Sequence, residues 1–153
     1  MTSKKRVVLI TGAESGIGKS TSKIFLDNGY KVICTYLKNN NNKNTKDIEY
    51  HRIDITKNKD WENLALYIKK KFKKIDVLVN SAGVRLSGNL ETTSMSDWSY
   101  HLNNNVTGTF LACKYILPFL KKAKNSSIIN VASINSIRGC LLYTSPSPRD
   151  NPA

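Results

Sequence analysis

Short, nearly unbroken apolar runs alternate along the chain with segments whose apolar residues recur every three or four positions. The runs at residues 7–11, 32–36, 50–53, 77–80 and 128–132 predict strands, each apolar enough to be covered on both faces. Between them, Ile17, Thr21, Ile24, Phe25 and Asn28 share one helical stripe, and Asn28-Gly29 supplies a stop. Trp61, Leu64, Ala65, Ile68 and Phe72 predict a second helix. Trp98, Leu102, Val106, Phe110, Cys113 and Leu117 predict a third, longer one over about residues 95–122. These stripes, aromatics included, are expected in the core. Residues 38–47 carry a run of asparagines, poor helix formers, and predict a loop. Strand and helix in alternation make a parallel sheet wrapped by helices, so the fold class is α/β, a Rossmann-type doubly wound sheet.

The first strand runs straight into Thr11-Gly12-Ala13-Glu14-Ser15-Gly16-Ile17-Gly18, and a helix follows. Glycines at such a junction allow a sharp turn, let backbone N–H groups approach a pyrophosphate, and let the helix start close to the strand with its positive end toward the anion. A glycine triplet alone is weak evidence, but its place between a strand and a helix near the start of a βαβ unit is the context that dinucleotide binding requires.

With this glycine spacing, four further segments in the same order resemble the short-chain dehydrogenase/reductase family over residues 6–139. Asp54-Ile55 resembles the family's acid–hydrophobic pair at the adenine. Asn80-Ser81-Ala82-Gly83 resembles its Asn-Asn-Ala-Gly motif, with Ser81 departing from the usual asparagine. Asn105-Val106-Thr107-Gly108 resembles the segment that carries the active-site asparagine, which implies that Asn105 holds a water in a proton relay. The segment at 127–133 resembles the strand that delivers the catalytic serine, and Ser133 takes that place. The resemblance implies a cofactor site built from Thr11, Gly12, Ser15, Gly16, Ile17, Gly18, Tyr36, Lys38, Asp54, Ile55, Asn80, Ala82 and Gly83. It implies an oxidoreductase that moves hydride between a nicotinamide cofactor and a carbonyl or alcohol, with 3-oxoacyl-(acyl-carrier-protein) reductase chemistry as the first guess and a homodimer or homotetramer as the full-length form. Where NAD-preferring members carry an acid at the end of strand two, this chain has Tyr36, and Lys38 follows two residues later. NADP is therefore expected, with NAD as the other possibility. The competing reading from another class is a non-catalytic dinucleotide-binding or regulatory module.

The formal charge of +13 raises nucleic acid as a partner. Two plainer causes account for it: lysine and asparagine are AT-rich codons, and the clusters at 69–74 and 121–124 close predicted helices, where cations complement the dipole. No nucleic-acid or membrane partner is expected. Cys34, Cys113 and Cys140 form no Cys-x-x-Cys pair, so buried thiols are expected rather than disulfides or a metal site. No apolar run reaches the roughly 20 residues of a membrane span, and the start does not resemble a signal peptide, so the expected location is cytoplasmic.

The resemblance implies a Tyr-x-x-x-Lys pair about a dozen residues beyond Ser133, and none occurs. Tyr143 is followed four residues on by Ser147, between Pro146 and Pro148, which break the helix such a pair needs, so Tyr143 is rejected as catalytic. Residues 140–150 match one reading frame of a transposon-type sequencing adapter. The expected organisation is thus an incomplete dinucleotide-binding domain over 1–139, cut after its fifth strand, and a non-native tail over 140–153. The 153-residue chain is expected to be inactive.

Overall fold

A computed structural model describes residues 5–38, 43–86 and 88–133. Five strands, β1 (Val7–Ile10), β2 (Lys31–Tyr36), β3 (Ile48–Arg52), β4 (Val77–Asn80) and β5 (Ser127–Asn130), form one sheet in the order β3-β2-β1-β4-β5. Every pairing is parallel, with Val8 opposite Val32 on one side and Val77 on the other. Helices α1 (Gly16–Asp27), α2 (Asn58–Lys71), α3 (Met95–Leu102) and α4 (Gly108–Leu120) make the crossovers from β1 to β2, from β3 to β4 and from β4 to β5. A π-helical turn, Asn103–Thr107, joins α3 to α4. Tyr143 and the predicted tail lie outside the described residues.

Successive residues of β1 alternate between two cores, as the period of a strand dictates. Val7 and Leu9 pack with Ile33, Leu78 and the apolar faces of α2 and α4, including Trp61, Ile68 and Ile116. Val8 and Ile10 pack on the opposite face with Val32, Val79 and, from α1 and its exit, Phe25, Leu26 and Tyr30. The α2 stripe lies where its periodicity predicts, and its last turn carries Lys69, Lys70 and Lys71. α1 ends at Asn28, whose side chain donates to the Ile24 carbonyl, and Gly29 turns the chain at φ +79°.

Two helix faces differ from expectation. On α1 the buried residues are Gly18 and Ser22, while Ile17 and Ile24 are exposed. The first half of the helix meets the sheet through its smallest side chains, because its first turn lies against the glycine turn itself, while Phe25 of the predicted stripe and Leu26 pack on the core from its last turn. In the long helix, Leu111, Ala112, Ile116, Phe119 and Leu120 are buried. The predicted stripe of Trp98, Leu102, Val106, Phe110 and Leu117 faces outward, so Trp98 and Phe110 are not core residues. α4 is apolar around most of its circumference, and periodicity alone then does not say which side meets the sheet. β5 is likewise exposed along its length. Cys34 is fully buried, and burial pushes its thiol pKa up to about 12 against a smaller opposing effect of Ser22. Cys113 is half-buried. Among the described residues there is no cluster of potential metal ligands, and no helix is long and apolar enough to cross a membrane.

Candidate functional site

A cleft of about 540 Å³ opens at the carboxyl ends of β1, β2 and β4. It sits where the strand order reverses, since β2 and β3 run off to one side of β1 and β4 and β5 to the other. Open α/β sheets bind ligands at this position, because the loops leaving the two central strands diverge there.

The glycine turn forms one wall, and its glycines do different work. A Cβ on Gly18 would lie 2.2 Å from the Gly12 carbonyl oxygen, so only glycine lets α1 start this close to the turn. Gly16 has φ +50° and would meet nothing within 4 Å, so its backbone is left bare toward the cleft. Ser15, Ile17 and Glu14 line the same wall. Thr11 does not line the cleft. It is buried, and its Oγ1 accepts from the N–H groups of Ser81 and Ala82, both at 3.0 Å, which stitches the end of β1 to the loop after β4.

That loop forms the opposite wall with Ser81, Ala82, Gly83 and Val84. Asn105 holds it from the π-helical turn: its Oδ1 accepts from Val84 N–H at 2.8 Å and its Nδ2 donates to the Val84 carbonyl at 3.0 Å. The widened turn is what lets an asparagine in mid-helix reach across to a loop backbone. Both ends of the Asn105 amide are thereby committed, and its own carbonyl accepts from Thr109 Oγ1.

The remaining predicted residues divide. Tyr36, Lys38 and Ile55 line the cleft. Asp54 does not: its Oδ1 accepts from Thr56 N–H and Oγ1–H, closing the turn that precedes α2. Asn80 is buried and clamps β4 to β5 by donating to Asn130 Oδ1 at 2.8 Å, and its own Oδ1 has no partner among the described residues. Ser133 lies three residues past β5, exposed, and is not among the residues lining the cleft. Sequence reasoning missed Glu14, Thr35, Leu37, Tyr100 and Asn104 as lining residues. Glu14 stood inside the quoted glycine turn; the others carried no signal, since their access depends on how neighbouring elements pack.

The chemistry of the cleft suits a dinucleotide. It combines a bare glycine backbone at a helix N-terminus with two solvent-shielded polar atoms left without partners among the described residues, Glu14 Oε2 and Thr35 Oγ1. Buried polar atoms of that kind ordinarily find a partner, and a ligand with hydroxyl and phosphate groups supplies one.

Comparison with known proteins agrees. The model of the short chain dehydrogenase family matches residues 6–145. The chain is 32% identical over 142 residues to the 3-oxoacyl-(acyl-carrier-protein) reductase of Thermotoga maritima, covering 88% of this chain and 58% of that protein. Among solved structures, it resembles ElxO with NADP bound at TM-score 0.78 and 32% identity, covering 90% of this chain and 59% of that one. A short chain dehydrogenase from Leptospira borgpetersenii with bound NAD+ gives TM-score 0.82 at 26% identity, covering 90% and 55%. The chain spans about half the length of the curated relatives it matches.

Proposed function

The chain belongs to the short-chain dehydrogenase family, and from that premise we propose that it is the cofactor-binding part of an NAD(P)-dependent reductase or dehydrogenase acting on a carbonyl or alcohol. The observation that carries this reading is the cleft at the reversal of strand order, floored by the bare backbone of Gly16. Gly12, Ser15, Gly16, Ile17 and Gly18 would hold the pyrophosphate, Tyr36 and Lys38 the adenosine ribose, and Ile55, Ala82 and Gly83 the walls around the adenosine. Thr11 and Asn80 act behind the site, by fastening the loop after β4 to its neighbours. Asp54 would reach the adenine only with the carboxylate oxygen that Thr56 leaves over.

A bound nicotinamide supplies hydride exchange with a carbon atom, and the protein must then manage a proton on the attached oxygen. We assign that oxygen to the hydroxyl of Ser133. Asn105 serves by positioning, since its amide is spent on Val84, and any relay water would have to use another of its atoms. Lys38 and the non-acidic Tyr36 favour the 2′-phosphate form, NADP(H). By analogy with the Thermotoga relative, a 3-oxoacyl thioester is the first substrate to try. The outward apolar stripe of Trp98, Val106 and Phe110 supports assembly of two or four copies in a longer form, and we keep a cytoplasmic location as part of the proposal.

The test is to titrate NADPH and NADH into the chain by nicotinamide fluorescence and to assay NADPH oxidation with carbonyl substrates. Saturable binding without turnover is expected, because no Tyr-x-x-x-Lys pair follows Ser133 to supply the proton, and the pair with that spacing on α2, Tyr67 and Lys71, is engaged with Glu49 and does not line the cleft. In a longer, active form, Ser133→Ala should lower kcat by orders of magnitude at unchanged cofactor affinity. Failure of the chain to bind either cofactor overturns the reading.

A further inference from the structure

The corner of the cleft beside the end of β2 contains a carboxylate that strand two does not provide. Glu14 stands in the glycine turn, and its Oε1 accepts a 3.4 Å hydrogen bond from the N–H of Leu37, the residue directly after β2. Its Oε2 is shielded from solvent and has no partner among the described residues. Thr35 Oγ1, one residue before the end of β2, is also buried and unpartnered. The Ala13 N–H donates to the Thr35 carbonyl at 2.9 Å, so turn and strand are fixed to each other and the two orphaned oxygens belong to one rigid corner. Glu14, Thr35, Tyr36, Leu37 and Lys38 all line the cleft.

In dinucleotide folds an acid beside the end of the second strand accepts from the ribose hydroxyls and excludes a phosphate there. Here the strand residue at that point is Tyr36, yet a carboxylate reaches the same backbone from the opposite side. We infer that Glu14 takes the part of the missing strand-two acid: its free oxygen accepts from a ribose hydroxyl, and it sets this cleft against the 2′-phosphate that Lys38 attracts. A hydroxyl has a proton to give Glu14, whereas a phosphate dianion has none and is repelled by it. Selection therefore rests on two opposed charges carried by different elements. The expected result is weak discrimination, a parent preference for NADPH of less than about tenfold, where an unopposed cationic contact would give more.

This inference rests on the cleft being the dinucleotide site, and the experiment separates the two. Dissociation constants are measured by calorimetry for NADPH, NADH, 2′,5′-ADP and ADP, the last two isolating the ribose corner from the nicotinamide end. They are measured on the parent chain, on Glu14→Gln and on Lys38→Gln. Removing the negative charge should tighten NADPH and 2′,5′-ADP by about tenfold relative to NADH and ADP, in line with the cost of like charges brought together. Lys38→Gln, at an exposed position, should turn the preference to NADH, because Glu14 is then unopposed. If Glu14→Gln does not fold, this second variant carries the test: equal affinities for NADPH and NADH in it would overturn the role given to Glu14. Ratios unchanged within twofold by Glu14→Gln would do the same while leaving the dinucleotide site standing. No binding of any probe to the parent would remove both.

Discussion

The two ends of the sheet treat their buried polar groups in opposite ways. At the amino ends of the strands every buried carboxylate is matched. Asp76, just before β4, accepts from Val7 N–H at 2.8 Å and meets Lys74 Nζ at 2.7 Å, while its backbone bonds to Val7 and Ser127. Glu49 of β3 accepts from Tyr67 and pairs with Lys71 at 2.7 Å. One atom near this end lacks a hydrogen bond, Asp47 Oδ1, and it still faces Lys31 at 4.0 Å. At the carboxyl ends, Glu14 Oε2, Thr35 Oγ1 and Asn80 Oδ1 have no partner among the described residues, and His51 Nε2, in register with Thr35, has only Glu49 at 3.8 Å. Unpaired polar atoms cost stability, so a fold keeps them only where something else is gained. The amino end is organised for holding the strands together, and the carboxyl end for a ligand.

If that division is right, the largest effect on folding comes from the amino end. Asp76→Ala would strand the buried Val7 N–H and leave Lys74 without its partner at the junction of β1, β4 and β5. A loss of about 3–5 kcal/mol is expected, the usual range for breaking one side of a buried pair. Urea denaturation followed by circular dichroism measures it, and a loss below about 1 kcal/mol would mean that the amino end does not hold the strands together through Asp76. Gly18→Ala is the corresponding packing test at the other end. The added Cβ cannot lie 2.2 Å from the Gly12 oxygen, so α1 must move away from the turn. About 3 kcal/mol of destabilisation is expected from this overpacking, with dinucleotide binding lost as well.

A smaller effect, and a pH dependence, belongs to the cluster around Glu49. Burial raises the Glu49 pKa, but the Lys71 and Tyr67 contacts outweigh it, and the net result lies below the ordinary value of 4.5. Burial also lowers His51 below its ordinary 6.5, against the pull of Glu49. Both groups bind protons less readily folded than unfolded, so the unfolded chain takes up more protons as pH falls. The contribution of these two groups is complete above 6.5, declines first as His51 protonates in the unfolded chain, and declines again below 4.5 through Glu49. Glu49→Gln should cost about 2 kcal/mol at pH 7, the worth of charge-assisted hydrogen bonds, and should flatten the lower limb. Denaturation midpoints between pH 4 and 8 on both proteins check this, and a wild-type stability that rises on acidification would contradict the sign.

The same contrast explains what was legible in the sequence. The strands were, because β1, β2 and β4 are buried on both faces and leave continuous apolar runs. The α2 stripe was, because one side of it is charged. The first half of the α1 face was not, since close packing there is achieved with Gly18 and Ser22, which carry little hydrophobic signal, whereas Phe25 of the predicted stripe does reach the core. Nor was the face of α4, which is apolar on both sides. In the site, the glycine turn and the loop at 80–83 stood out as motifs, whereas Glu14 and Thr35 did not. Their significance lies in lacking partners, which is a property of the packed structure. Asp76 was invisible for the converse reason: its partners at Val7 and Ser127 are 69 and 51 residues away and meet it only in the assembled sheet.

A substitution at the carboxyl end should have a small effect on folding, of opposite sign. Thr35 is 1% exposed, and its hydroxyl is buried without a partner at the wall of the cleft. Thr35→Val replaces that hydroxyl with a methyl of nearly the same shape, so no cavity opens and the backbone bond from Ala13 to the Thr35 carbonyl is untouched. Removing an unsatisfied hydroxyl from a buried position recovers part of its desolvation cost, and stability should hold or rise by up to about 1 kcal/mol. Binding should move the other way. If the hydroxyl pairs with the ribose, its loss removes one neutral hydrogen bond of about 1 kcal/mol, or about fivefold in the dissociation constant for either NADH or NADPH. A shared loss on both cofactors also distinguishes Thr35 from Glu14, whose replacement should affect the two in unequal measure. Urea midpoints and fluorescence titrations on the same preparation decide it. A clear loss of stability would mean that the hydroxyl serves the fold, and the carboxyl end would then differ from the amino end less than its unpaired atoms indicate.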